Sequence, residues 1–321
     1  MTWNPLDLPD QTGHTHVVTG ATAGIGYFAA EQLAGAGARL VLAARSPQRL
    51  ETAAASIREQ VPGAEVRGVV VDLASRDSVD RAADQLAALG HIDGLLLNGG
   101  AMSGWRSRTA EGLPLTLATH VVANAALTAR LLPTLIASGT AERPSRIVHT
   151  STGFVDRARR IRLDDPRRAP RIGVVAYTQA KAYTEVLAFE LDRRLRAHEL
   201  PVLSLVSRPG VGVDAKTPER TGVHDATTRD RRNPYTRWAQ GKDAAAWSAV
   251  RALTDPAAQG GELYAPANGI AGSPVRIEPS ARTAHPNAGA AARLWAEIAE
   301  LAGVESSLVG DAVGSRAVRG R

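Results

Sequence analysis

A chain of 321 residues, 44% hydrophobic and 22% charged, carries enough apolar material for one sizeable core. The absence of cysteine excludes disulfides, thiolate catalysis and cysteine-ligated metals. The net charge of +6 leans only weakly toward acidic partners, and of the 38 Lys plus Arg just three are lysines, Lys181, Lys216 and Lys242.

Residues 1–16 show no basic stretch followed by an apolar one, so no signal peptide is expected. No run of 18 or more apolar residues occurs, so no membrane span is expected either. Heavy Ala and Arg usage suggests a GC-rich bacterial genome, and the expected setting is the cytoplasm. From residue 16 the chain alternates two patterns. Short apolar runs stand at HVVTG, RLVLAA, VRGVVVDL, IDGLLLNGG, SRIVHTS and PVLSLVS. Helically spaced Ala/Leu stretches such as IGYFAAEQLAGAGA and SVDRAADQLAALG lie between them. This predicts an α/β chain: a Rossmann-type, doubly wound parallel sheet with helices on both faces, in a single domain. The helix around residues 113–138 is read as the longest and most apolar. Two polar stretches break the rhythm, an Arg-rich insert at 153–173 and a candidate substrate loop at 210–240. The tail from 304 to 321 is expected to fray.

Gly20, Gly24 and Gly26 form a G-x-x-x-G-x-G turn between the first strand and the first helix. Missing side chains there let backbone approach a pyrophosphate, whose charge the helix start favours. The second strand ends in Ala44 and Arg45, with no acid before Glu51 to hold a ribose 2′-hydroxyl. Arg45 suits a 2′-phosphate, so NADP(H) is favoured over NAD(H).

TGATAGIG (19–26), VDL (71–73), LNGGA (97–101), IVHTSTG (147–153), YTQAK (177–181) and RPGVGV (208–213) appear in that order. Together they resemble the short-chain dehydrogenase/reductase family, most of all its branch with retinol dehydrogenases and protochlorophyllide-reductase-like bacterial enzymes. The resemblance spans about residues 12–302. It implies that Gly20, Thr22, Ala23, Gly24, Ile25 and Gly26 line the phosphates, and that Asp72 bonds the adenine amine beside Leu73. It also implies that Asn98, Gly99 and Gly100 meet the adenosine ribose, and that Pro209, Gly210 and Val213 flank the nicotinamide. Tyr177 would be the general acid or base, and Lys181 would bond the nicotinamide ribose. One helical turn separates the two, and an ammonium held near a phenol lowers its pKa.

Two positions depart from the family pattern. Where the family ends its fifth strand in Ser-Ser, this chain has Ser151-Thr152. Thr152 takes the position that donates to the substrate oxygen, with Ser151 as the fallback. His120 stands where the family has an asparagine serving a proton relay. It is open whether His120 relays protons or fills a kink, and Asn124 is a weaker substitute.

The insert from Asp156 to Arg171 holds seven arginines against three aspartates, suited to steering an acidic substrate or to plain solvation. Nucleic acid is not expected, since stacking aromatics are missing around those arginines. His14 and His16 lack a third ligand, so no metal is expected. Trp238 and Trp247 are read as core or substrate contacts, core favoured. The expected activity is hydride transfer between a nicotinamide and a small-molecule carbonyl or secondary alcohol, by a homo-oligomer (dimer or tetramer) away from membranes. The alternative is a nucleotide-binding protein with a non-redox or regulatory role.

Overall fold

The structure, a computed structural model, describes residues 3–168, 170–228 and 233–307. Residues 308–321 of the expected frayed tail, and 229–232 of the candidate substrate loop, lie outside the described residues. The first half alternates β1 Thr15–Thr19, α1 Gly24–Gly35, β2 Arg39–Ala44, α2 Pro47–Gln60, β3 Val66–Val70, α3 Arg76–Ala87 and β4 Gly94–Leu97. A broken helix follows: α4 Leu115–Leu117, a π-helical turn Ala118–Val122, and α5 Ala123–Ser138. Then come β5 Ser145–Thr150, α6 Phe154–Arg157, α7 Gly173–Ala197, β6 Val202–Ser207 and a 3-10 turn Asp214–Lys216. The chain continues with α8 Lys242–Thr254, β7 Leu263–Pro266, β8 Pro274–Ile277, α9 Ala281–Ala284 and α10 Ala288–Ala302.

The strands make one eight-stranded sheet in the order β3-β2-β1-β4-β5-β6-β7-β8. All neighbours are parallel except β7 and β8. Helices cover both faces, and adjacent strand residues serve opposite cores. Val17 packs with Leu95, Ile147, Leu131 and Leu294 on one side, while Val18 packs with Leu96, Val148, Phe28 and Val250 on the other. That is why these strands read as unbroken apolar runs. The doubly wound single sheet expected from the alternation is what forms. The antiparallel edge strand β8 was not foreseen. It starts at a proline and exposes Val275 and Arg276, so it carries little apolar signal.

Local chemistry fixes the helix starts. Ser46 accepts from Arg49 N–H at 3.3 Å ahead of Pro47, and Ser75 accepts from Ser78 N–H at 3.4 Å. Leu115–Ser138 has 24 residues and α7 has 25, so the apolar helix is not the longest. Leu115–Ser138 is also long and apolar enough, by length and composition, to cross a membrane. This amends the expectation of no such segment. Its buried residues pack in the core with α3, α7 and α10.

A buried ionic cluster ties the sheet's active edge together. Glu185 on α7 accepts from Arg208 at 2.8 and 3.0 Å, from Ser151 at 2.6 Å and from Thr283 at 2.9 Å. Arg208 also grips Asp156 of α6 at 2.5 and 3.1 Å. Glu185 is fully buried and Arg208 nearly so. Removing one member strands a charge out of water, so Glu185→Ala is expected to lower stability by about 3–5 kcal/mol. Urea unfolding measures this, and a loss under about 1 kcal/mol would show the cluster to be dispensable.

Candidate active site

Parallel pairing places six candidate positions along one edge. Gly20, Arg45, Asn98 and Ser151 each directly follow the last residue of β1, β2, β4 and β5; Asp72 and Pro209 lie two beyond β3 and β6. In the order of the sheet the row reads Asp72, Arg45, Gly20, Asn98, Ser151, Pro209. Strands about 4.8 Å apart make it roughly 24 Å long, the reach of an extended dinucleotide. The connections reverse direction between β1 and β4, the usual ligand crevice of such sheets.

At that crevice the glycines are obligatory. Gly20 has φ +67°, and a methyl group built on it would lie 2.8 Å from Gly99 Cα. One built on Gly26 would lie 2.6 Å from the Gly20 carbonyl oxygen. Thr19 Oγ1 accepts from the N–H groups of Asn98 and Gly99 at 3.0 and 2.9 Å, and Asn98 Nδ2 donates to Thr19 O at 3.2 Å. Ala23 caps α1 without a side-chain hydrogen bond, and Thr22, Ala23, Gly24 and Ile25 remain partly accessible. Bare helix-start N–H groups in a cradle that a Cβ would fill suit a pyrophosphate. Arg45 is exposed past β2, and Asp72 and Leu73 are half-buried past β3. Gly210 has φ +69°, Pro209 O accepts from Gln240 at 3.0 Å, and Val213 is buried.

Tyr177, Lys181 and Glu185 follow one another at single-turn spacing on α7. Lys181 is 1% exposed, donates to Thr150 O at 2.6 Å, and sits 5.9 Å from the Tyr177 ring centroid. Burial pulls the lysine down to about 7, with Glu185 opposing. Burial also pushes the Tyr177 phenol up to about 12. The lowering expected from the neighbouring ammonium is therefore reversed here. Desolvation penalises both charged forms, and the ammonium is turned to a backbone carbonyl.

The two hydroxyls after β5 part company. Ser151 Oγ donates to Glu185 and is 1% exposed, so it belongs to the buried cluster. Thr152 is only half-buried, with its hydroxyl accepting a long 3.4 Å bond from Phe154 N–H.

His120 lies in the π-helical turn, a geometry found disproportionately at functional sites. Its ring stands edge-on to Tyr177 with centroids 5.4 Å apart. A side chain on Gly100 would collide with that ring. The His120 carbonyl accepts from Asn124 Nδ2 at 2.8 Å and Thr184 Oγ1 at 3.4 Å, so Asn124 supports His120 rather than replacing it. Among the described residues, both His120 ring nitrogens, Asn124 Oδ1, Thr128 Oγ1 and His149 Nε2 are buried without a hydrogen-bond partner. They belong to residues lining a cavity of about 40 Å³ behind Lys181, where small volume and polar walls suit ordered water. His149 and Thr128 were not foreseen; nothing in a strand or helix pattern marks a residue that faces a void.

Trp238 is 58% exposed beside Arg237, against the core placement favoured for it, because the chain folds nothing over it; Trp247 is partly buried. Among the described residues no three metal-ligating side chains cluster. His16 Nε2 sits 3.0 Å from Gln11 Oε1, in keeping with a structural role.

Burial lowers His16 and His149 to about 3 and His120 well below its usual value, with the Lys181 charge adding to the last two. The unfolded chain takes up these protons near pH 6.5, the folded chain only near 3. Stability should be full above about pH 6.5 and decline toward pH 3, by about 1.4 kcal/mol per pH unit for each group. Urea midpoints from pH 7 to 4 test this; an unchanged slope in His149→Gln would remove His149 from the account.

A family model described as short chain dehydrogenase matches residues 14–158. Mouse polyprenol dehydrogenase is 34% identical over 268 residues, covering 80% of this chain and 76% of that protein. The crystal structure of an uncharacterised Mycobacterium paratuberculosis protein superimposes with TM-score 0.74 at 28% identity, covering 95% of this chain and 99% of the other. L-sorbose reductase from Gluconobacter frateurii, complexed with NADPH and L-sorbose, matches with TM-score 0.51 at 25% identity, over 63% of this chain and 71% of its own. The chain belongs to the short-chain dehydrogenase/reductase family of enzymes.

Proposed function

We propose that this enzyme is an NADP(H)-dependent reductase of a carbonyl group, with Tyr177 as the proton donor. The observation that carries the reading is the convergence of Tyr177, Lys181, Thr152 and the glycine cradle on one edge of the sheet. The nicotinamide, when bound, supplies the hydride. Gly20 to Gly26 receive the pyrophosphate, Asp72 and Asn98 the adenosine, and Pro209, Gly210 and Val213 the nicotinamide side. Arg45 meets the 2′-phosphate with an exposed guanidinium at the adenosine end of the row.

Tyr177 stays protonated at neutral pH because burial raises it, so the phenol is ready to donate to an oxygen gaining negative charge. Thr152 orients that oxygen through its accessible hydroxyl, Ser151 being engaged with Glu185. Lys181, with a pKa near 7, shares its proton readily with its surroundings and is placed to bond ribose hydroxyls beside Tyr177. His120, packed on the Tyr177 ring and open to the polar cavity, is the residue through which Tyr177 regains its proton.

NADPH consumption against a panel of ketones and aldehydes is the direct test. Tyr177→Phe should cut turnover by roughly 10²–10⁴-fold while leaving nucleotide binding intact; undiminished turnover would remove the proposed acid. Arg45→Ala should raise KM for NADPH by about tenfold and leave KM for NADH unchanged. Equal effects on both nucleotides would dissociate Arg45 from the 2′-phosphate.

A further inference from the structure

Lys181 and Lys242 both sit along the nucleotide cleft, and Lys216 orders the segment between them. Lys216 Nζ donates to Ala239 O at 2.6 Å and to Arg237 O at 3.4 Å, just ahead of α8. Lys242 opens α8, which packs against α1, and its own N–H donates to Thr217 Oγ1 at 2.9 Å. Gln240, two residues earlier, is tied to Pro209 O at 3.0 Å and, through its own carbonyl, to Val213 N–H at 2.9 Å. The start of α8 is thereby locked to the loop after β6.

The Lys242 side chain runs from there over the glycine turn. A methyl group built on Gly24 would meet Lys242 Cδ at 3.6 Å, and one built on Gly212 would meet Cγ at 3.3 Å. The ammonium pairs with Asp214, whose side chain is 8% exposed, while that of Lys242 remains 29% exposed. The turn TGATAGIG itself carries no charged side chain. A nearly buried carboxylate beside a turn that receives a doubly negative group would repel it. A lysine on a flexible four-carbon stem offsets that charge and has donors to spare.

We propose that Lys242 binds the pyrophosphate of the dinucleotide, with Asp214 holding the ammonium over the glycine turn. This rests on the dinucleotide reading above and adds a residue that none of the sequence motifs contains. Binding then draws on the bare N–H groups of α1 from one side and on a cation from α8 on the other.

Fluorescence titration with NADPH of wild type, Lys242→Met, Asp214→Asn and the double variant tests it, without turnover. Lys242→Met should bind about tenfold more weakly, and the double variant should remain that weak. Asp214→Asn should bind at least as tightly as wild type. Raising NaCl should weaken wild type more than Lys242→Met, since a cation–phosphate contact is screened. Lys242→Gln carries the same expectation and serves if a melting curve shows Lys242→Met to be misfolded. Binding by Lys242→Met within twofold of wild type would overturn the proposal. So would recovery of wild-type affinity in the double variant, which would make Lys242 only the counter-ion of Asp214. Wild type that binds neither NADPH nor NADH would remove the dinucleotide reading and this proposal with it; a normal wild type with an indifferent variant removes Lys242 alone.

Discussion

Six strands that run the same way must end on the same side. From β3 to β6 the sheet is parallel, so its carbonyl ends share one edge and every following loop begins there. Residues as distant in sequence as Gly20 and Pro209 thereby fall into a row without any contact between them. The row is set by hydrogen-bond registers such as Val17↔Val41 and Ile147↔Ser204, which the apolar cores on both faces hold in place. A slip of one strand would move one member of the row by a residue and turn its side chains to the wrong face.

Holding reactive groups at that edge means taking charge out of water, and α7 shows how the chain manages it. Tyr177, Lys181 and Glu185 stack along one face of the helix, with Lys181 and Glu185 essentially inaccessible. Glu185 is satisfied by Arg208, Ser151 and Thr283, all hydrogen-bonded. Lys181 has a backbone carbonyl and a neighbouring carboxylate one turn away. The same burial that shifts these groups also keeps their rotamers few, which is what a positioned proton donor requires.

The fold was legible because each buried parallel strand is a short apolar run that ends in a functional residue. HVVTG and IDGLLLNGG show both the strand and the place where it stops. The edge strand Pro274–Ile277 escaped because it is short and half solvated. Candidate site residues were legible as positions, less so as states. Spacing alone leaves Ser151 and Thr152 equivalent; what separates them is Glu185, 34 residues downstream of Ser151, which claims the serine. Likewise the i,i+4 spacing of Tyr177 and Lys181 reveals proximity but not the surrounding dielectric, and it is burial that decides the phenol's pKa. Asn124 could be seen to share a face with His120, but not that its amide would close the carbonyl left open by the π-helical turn.

That wide turn has a consequence for how the chain can vary. A helix advances about 100° per residue, so the extra residue in Ala118–Val122 sets the angular phase of everything after it. Shortening the turn by one position would relax it to ordinary helix, yet would swing Leu127, Leu131 and Leu135 by about a quarter of a circle away from the sheet. Insertions and deletions are therefore barred from this segment by the packing of residues two and three turns downstream, even where the local backbone would accept them readily.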